Sequence, residues 1–120
     1  MTRTIFFDGE FTSLNDYIDA ERTNRHIAAK IKKYETQRVR LCAIGVLPIE
    51  KYPVRIKFTW FRMDHRTDPD NVAFAKKFIL DGLQKAKVMK GDGCRHICGF
   101  EDCFVFDPAR AGVQVEITEM

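Results

Sequence analysis

An alternating segment at residues 54–61 constrains the fold of this chain most strongly. Val54, Ile56, Phe58 and Trp60 point one way in an extended chain, and the positions between them are mostly polar or basic. Successive side chains of a strand face opposite sides of its sheet, so this pattern predicts a strand with one buried face. The buried face has to be covered by another layer of secondary structure.

Two segments with helical periodicity flank this strand and would provide that layer. The first begins at Ser13, where Asp16 completes a capping-box pattern, and its apolar residues recur at helical spacing as far as Tyr34. The second covers about residues 71–85. The apolar stripe predicted for the second helix consists of Val72, Ala75, Ile79, Leu83 and Ala86.

Shorter segments complete the predicted fold. Residues 4–7 and 113–117 have the pattern of strands, residues 104–106 suggest one further short strand, and Gly91-Asp92-Gly93 predicts a turn. The order of elements predicts a single α/β (α+β) domain over residues 1–120, with a mixed sheet of about four strands and two main helices. A chain of this length can build one core but not two.

The composition indicates an intracellular globular protein. Charged residues make up 31% of the chain, and no segment has the apolar length of a signal peptide or a membrane span. We therefore expect a cytoplasmic protein with no membrane partner, whose four cysteines stay reduced.

A basic segment lies between residues 22 and 40, where Glu35 is the only acidic residue. Clustered positive charge of this kind is typical of proteins that bind phosphates, although a solvated helix face would have the same composition. The basic residues are Arg22, Arg25, Lys30, Lys32, Lys33, Arg38 and Arg40.

Asp68-Pro69-Asp70 is the segment that most suggests chemistry. In an extended chain residues i and i+2 point the same way, so both carboxylates could converge on one hard cation such as Mg²⁺ or Mn²⁺. Asp92, between two glycines, is a candidate third ligand. Each residue also has a simpler interpretation: Asp70 as a helix N-cap, Asp92 as a turn residue, and Lys77 with Asp81 as a surface ion pair.

The central block of the chain resembles the RusA family of Holliday-junction resolvases. The resemblance is carried by Asp-Pro-Asp-Asn at 68–71, by Lys-Lys-Phe-Ile-Leu-Asp-Gly-Leu at 76–83 and by Gly-Asp-Gly at 91–93. Weaker similarity extends to Asn-Asp-Tyr-Ile at 15–18, as in phage and prophage members, and to the last strand at 113–119. The match therefore covers most of the chain.

This resemblance implies a homodimeric endodeoxyribonuclease that needs Mg²⁺ or Mn²⁺, and no small-molecule cofactor, to make paired nicks in four-way DNA junctions. Asp68, Asp70 and Asp92 match the metal-binding aspartates of the family. The catalytic lysine corresponds to Lys77, with Lys76 as its competitor, because shorter members have a lysine where this chain has Phe74. The residues expected to hold DNA phosphates are Arg22, Arg25, Lys30, Lys33 and Lys76, with Arg55 or Lys57.

Other residues allow different functions. Cys94, His96, Cys98 and Cys103 could form a structural zinc site, which would make the chain a zinc-stabilised interaction protein, although their spacing is unlike that of common zinc knuckles. His65 could carry a proton next to the aspartates, but it could equally be a solvated loop residue. The chain could also be a non-catalytic DNA-binding module whose aspartates are caps and turn residues.

Overall fold

The computed structural model describes all residues from Met1 to Met120 and has a mixed four-stranded sheet. The strand order is β1-β4-β2-β3, with β4 antiparallel to both β1 and β2, and β3 parallel to β2. This confirms the predicted α+β fold. The elements are β1 (Thr2–Asp8), α1 (Leu14–Thr23), α2 (Arg25–Cys42), β2 (Val54–Arg62), α3 (Pro69–Ala73), α4 (Lys76–Lys85), β3 (Ile97–Phe106) and β4 (Gly112–Glu119).

The alternating strand is the centre of the core. All four predicted inward residues of β2 are buried, and Phe58 and Trp60 stack with ring centroids 5.5 Å apart. The neighbouring β4 places Val115 opposite Phe58 and Val113 opposite Trp60. The apolar face is therefore continuous across the two central strands, and the helices cover it.

The first predicted helix is two helices, α1 and α2, which meet at Asn24. This residue has an extended backbone, and its side chain accepts a hydrogen bond from the His26 backbone N–H at 2.8 Å. The break shifts the helical phase, so Ile27 and Tyr34 are exposed although the periodicity through residues 14–34 assigned them to the apolar face. The buried residues of α2 are instead Ala28, Glu35, Thr36 and Val39.

The second predicted helix is also divided, into the short α3 and the longer α4. Phe74 and Ala75 between them keep helical backbone angles, so the helical phase is preserved. The predicted stripe is confirmed: its first four residues are buried, and Ala86 packs against the core while partly exposed. None of the helices combines the length and the apolarity that crossing a bilayer demands.

The prediction for β3 was too short. The strand has ten residues, Ile97–Phe106, where the sequence indicated only residues 104–106. Glu101 and Asp102 interrupt its apolar pattern, and its residues are mostly exposed because β3 lies at the edge of the sheet. Backbone pairing with β2, rather than side-chain burial, defines its length.

Candidate active site

Asp68 and Asp70 lie at the start of α3, directly after the loop that follows β2. Asp68 occupies the N-cap position, but its side chain makes no capping hydrogen bond, and Pro69 begins the helix. Asp70 is inside the first turn, where its Oδ1 accepts the Asn71 N–H at 3.0 Å. The N-cap interpretation of Asp70 is therefore wrong, and both exposed carboxylates retain free oxygens.

Asn71 adds a third oxygen to the same turn. Its side-chain Oδ1 is buried and has no hydrogen-bond partner. Buried polar oxygens without a partner are uncommon in native proteins and call for an explanation. An amide oxygen and two free carboxylates in one turn are the hard oxygen ligands that Mg²⁺ and Mn²⁺ prefer, so the residue types present fit such an ion.

Asp92 belongs to a second cluster, centred on Lys77. The Lys77 Nζ lies 3.2 Å from Asp81 Oδ1 and 3.9 Å from Asp92 Oδ2. The two acidic side chains are partly buried, whereas the lysine side chain is 56% exposed. Lys77 therefore faces solvent between two carboxylates, and the surface ion pair of Lys77 with Asp81 that the sequence suggested is present.

The structure does not bring Asp68, Asp70 and Asp92 into one ligand set. No three carboxylate, histidine or cysteine side chains are close enough to hold a metal ion together. The Lys77 ammonium group, 3.9 Å away, partly neutralises the charge of Asp92. The site thus consists of an oxygen-rich α3 turn and a separate Asp92–Lys77–Asp81 cluster.

Lys76, the competitor of Lys77, is engaged elsewhere. Its Nζ lies 2.7 Å from Asp102 Oδ2 and 4.5 Å from the centre of the Phe100 ring. The other oxygen of Asp102 accepts the Trp60 indole N–H at 2.9 Å. Asp102 was not identified from the sequence, although two acidic residues between Phe100 and Phe104 were a signal for a specific partner.

A small cavity of about 170 Å³ adjoins Asp68. Arg62, Asp64 and His65 are among its lining residues. His65 stacks on Phe106 with ring centroids 4.7 Å apart, a packing contact that the sequence did not predict. The cavity places a cation, an imidazole and a carboxylate beside Asp68, within a surface that also contains apolar side chains.

The cysteines and His96 do not form a cluster. Cys94 and His96 lie in a turn before β3, and the His96 ring packs edge-on against Tyr52 at 4.9 Å. The Cys98 thiol donates to the Val54 carbonyl, and Cys103 contacts Glu101. No three of these side chains converge, and all four cysteines are free thiols.

The basic residues occupy different surfaces. Arg22 is at the end of α1, whereas Arg25, Lys30 and Lys33 are exposed on α2. Arg55 projects from the opposite face of the sheet, because its neighbours Val54 and Ile56 point into the core. One DNA arm therefore cannot contact the α2 lysines and Arg55 through the same face of the sheet.

Comparison of the chain with protein-family models and with curated proteins identified no match.

Proposed function

We propose that this chain is a structure-selective endodeoxyribonuclease of the RusA type, which resolves Holliday junctions and other branched DNA by paired phosphodiester hydrolysis. The observation that carries the proposal is the α3 turn, where two exposed carboxylates and a buried amide oxygen without a partner fall within the four residues 68–71. Oxygen donors in this arrangement suit a divalent cation.

Asp68 and Asp70 would hold Mg²⁺ or Mn²⁺, with Asn71 as a further oxygen donor and Asp92 as the third aspartate of the site. When bound, such an ion neutralises charge at a phosphate and makes a water molecule more acidic. The carboxylates of this chain orient the water and the phosphate relative to each other. In the structure Asp92 is paired with Lys77, so its recruitment to the ion is part of the proposal.

Lys77 would stabilise negative charge on the phosphate during cleavage. Its ammonium group is solvent-exposed and already lies between two carboxylates of the site. Lys76 is held by Asp102 and by the Phe100 ring, so it can reach a phosphate only if these contacts break. The contacts therefore favour Lys77 in the catalytic role.

A homodimer would supply two such sites for two strands of a junction. The exposed edge of β3 supports this part of the proposal, because Phe104, Val105 and Phe106 are each 40–50% exposed there. Long apolar edge strands normally pair or are covered. Two copies related by a two-fold axis can pair β3 with β3 only in the antiparallel sense.

The exposed basic residues of α1 and α2 would hold the junction arms through phosphates, without reading the base sequence. We place this activity in the cytoplasm of a bacterial host cell, on branched DNA. The α2 lysines lie on the helix-covered side of the sheet, which makes that side the DNA-binding surface of the proposal.

A non-catalytic DNA-binding module is the second candidate. It is favoured by the pairing of Asp92 with Lys77 rather than with the two aspartates of α3. In that case the aspartates would only shape the start of α3 and the loop before β3.

The test is cleavage of a synthetic four-way junction beside a linear duplex of the same arms, with Mg²⁺, Mn²⁺ or chelator. We expect paired nicks in the junction alone, abolished by the chelator and reduced at least a hundredfold in Asp70→Asn. Asp19→Asn, which makes the same change at an exposed position of α1, is the matched control and should cut normally. Binding of the junction without cutting under any metal would support the non-catalytic alternative instead.

A further inference from the structure

A second polar cavity lies between α2 and α4, away from the α3 turn. Its volume is about 570 Å³. Seven of its eight lining residues are polar or charged, and the only apolar one is Ala29. The polar lining residues are Lys32, Lys33, Thr36, Gln37, Asp81, Gln84 and Lys85.

The charge of this cavity favours an anion. Lys32, Lys33 and Lys85 contribute three positive charges, against the single carboxylate of Asp81. That carboxylate is itself paired with Lys77 at 3.2 Å, so it opposes an incoming anion only weakly. None of the three cavity lysines forms an ion pair within the protein.

The buried side chain of Thr36 points to a ligand independently of the charge of the cavity. Only 5% of this residue is exposed, and its hydroxyl oxygen has no hydrogen-bond partner. A buried hydroxyl without a partner costs free energy unless a ligand or water satisfies it. Because Thr36 is one of the residues that line the cavity, an anion that entered between the helices is a candidate partner for this hydroxyl.

We propose that the α2–α4 cavity binds a phosphate group of the DNA backbone, next to the phosphate that is cut. The tetrahedral anion would accept hydrogen bonds from Thr36 and from the surrounding lysines. Asp81 lines the cavity and also contacts Lys77, so a phosphate held here lies beside the candidate catalytic lysine. The assignment to DNA rests on the proposed function, whereas the affinity for phosphate does not.

The ligand chemistry is tested with inorganic phosphate. We would titrate it into the ¹⁵N-labelled chain and follow the amide resonances of Thr36, Gln37 and Gln84. Saturable shifts are expected in the native chain. Thr36→Val keeps the shape but removes the hydroxyl, and should weaken phosphate binding about tenfold, as expected for a lost hydrogen bond to a charged group.

The DNA assignment is tested by binding a four-way junction with chelator present, so that no cutting occurs. Lys33→Ala and Lys85→Ala should each weaken binding severalfold and lower the slope of log K against log salt by about one. Lys51→Ala removes the same charge from an exposed lysine outside the cavity and is the matched control. All three lysines are exposed, so these variants should fold normally.

The outcomes separate this proposal from the proposed function. The cavity assignment would be overturned if phosphate caused no shifts and both cavity variants bound the junction as well as the control does. The proposed endonuclease activity would be unaffected by that result. Phosphate shifts without an effect on junction binding would make the cavity a site for free phosphate or a nucleotide and overturn its DNA role. Failure of the native chain to bind any junction would overturn the DNA role and the endonuclease together.

Discussion

Arg38 lies in the basic segment of α2, yet its contacts are those of a structural residue. Its guanidinium donates to Glu35 at 2.8 Å and to the backbone carbonyls of Asp8 and Glu10, and it covers the Phe11 ring. Glu35 is buried and also accepts the Thr12 N–H at 2.7 Å. This pair joins α2 to the segment after β1. Glu35, the only acidic residue of the basic segment, therefore stabilises the fold.

Replacing Arg38 should therefore cost stability rather than DNA affinity alone. Arg38→Ala leaves the Glu35 carboxylate buried without its cation, which should lower the free energy of unfolding by about 3 kcal/mol. Arg40→Ala is the matched control and should change the free energy of unfolding by less than about 1 kcal/mol, since the Arg40 side chain makes one hydrogen bond, to the exposed Gln37, and no ion pair. Urea unfolding measures both, and equal losses would show that the buried pair contributes nothing specific.

The two adjacent lysines of α4 should separate chemistry from stability. Lys77→Ala should reduce junction cleavage about a hundredfold, as for other groups that stabilise transition-state charge, with little change in stability because the lysine is exposed. Lys76→Ala should lower the free energy of unfolding by roughly 1 to 3 kcal/mol, since this side chain is only 20% exposed and the change removes both its ion pair with Asp102 and its contact with the Phe100 ring. Single-turnover cleavage and thermal unfolding of both variants test this, and the reverse result would assign catalysis to Lys76.

At the scale of elements, the crossing of α2 and α4 depends on one glycine. A Cβ added at Gly82 would lie 2.4 Å from the Val39 Cβ and 2.9 Å from the Thr36 carbonyl oxygen. Neither atom is the end of a flexible side chain, so the helices would have to separate. The same crossing forms the cavity that carries Thr36 and the three lysines.

Gly82→Ala should destabilise the protein although alanine is the better helix former. The intrinsic preference favours alanine by about 1 kcal/mol. Overpacking of a buried contact costs typically 1–3 kcal/mol, and the separation required here puts the cost at the upper end. A lower melting temperature in thermal unfolding is the expected result, and an unchanged or higher one would show that the two helices move apart easily.

At the scale of the whole molecule, β3 leaves one edge of the sheet open. The opposite edge, β1, presents fewer exposed apolar side chains: Phe7 and Ile5 are buried and Phe6 packs against Phe61. On β3 the exposed aromatic side chains lie close to the loop that begins with Met63 and leads to α3, as the stacking of His65 on Phe106 shows. A second copy paired at this edge would therefore bring two candidate sites into one rigid assembly.

Val105→Lys should convert the proposed dimer to a monomer, because a charged side chain on an edge strand opposes strand pairing. Sedimentation velocity would show the change in mass. Ile44→Lys, at a position that is 68% exposed and outside the sheet, should leave the mass unchanged. A native chain that sediments as a monomer at all concentrations would remove the dimer from the proposal.

The sequence by itself determined the elements in which the spacing of apolar residues shows which side chains are buried. The alternation of β2 and the stripe of residues 72–86 follow from the covering of one face by the core, so they were predictable residue by residue. The sequence also supplied the candidate site residues, the aspartates through their spacing and residue type and the lysines through the resemblance to the RusA family.

Tertiary structure decided what depends on contacts between distant residues. The length of β3 follows from its pairing with β2, and the different environments of Lys76 and Lys77 follow from Asp102 and Asp92, which are distant in sequence. The exposure of Ile27 and Tyr34 follows from the break at Asn24, and the burial of Glu35 from its pairing with Thr12 and Arg38. Local periodicity carries no information about such partners, since each is chosen by the packing of one element on another.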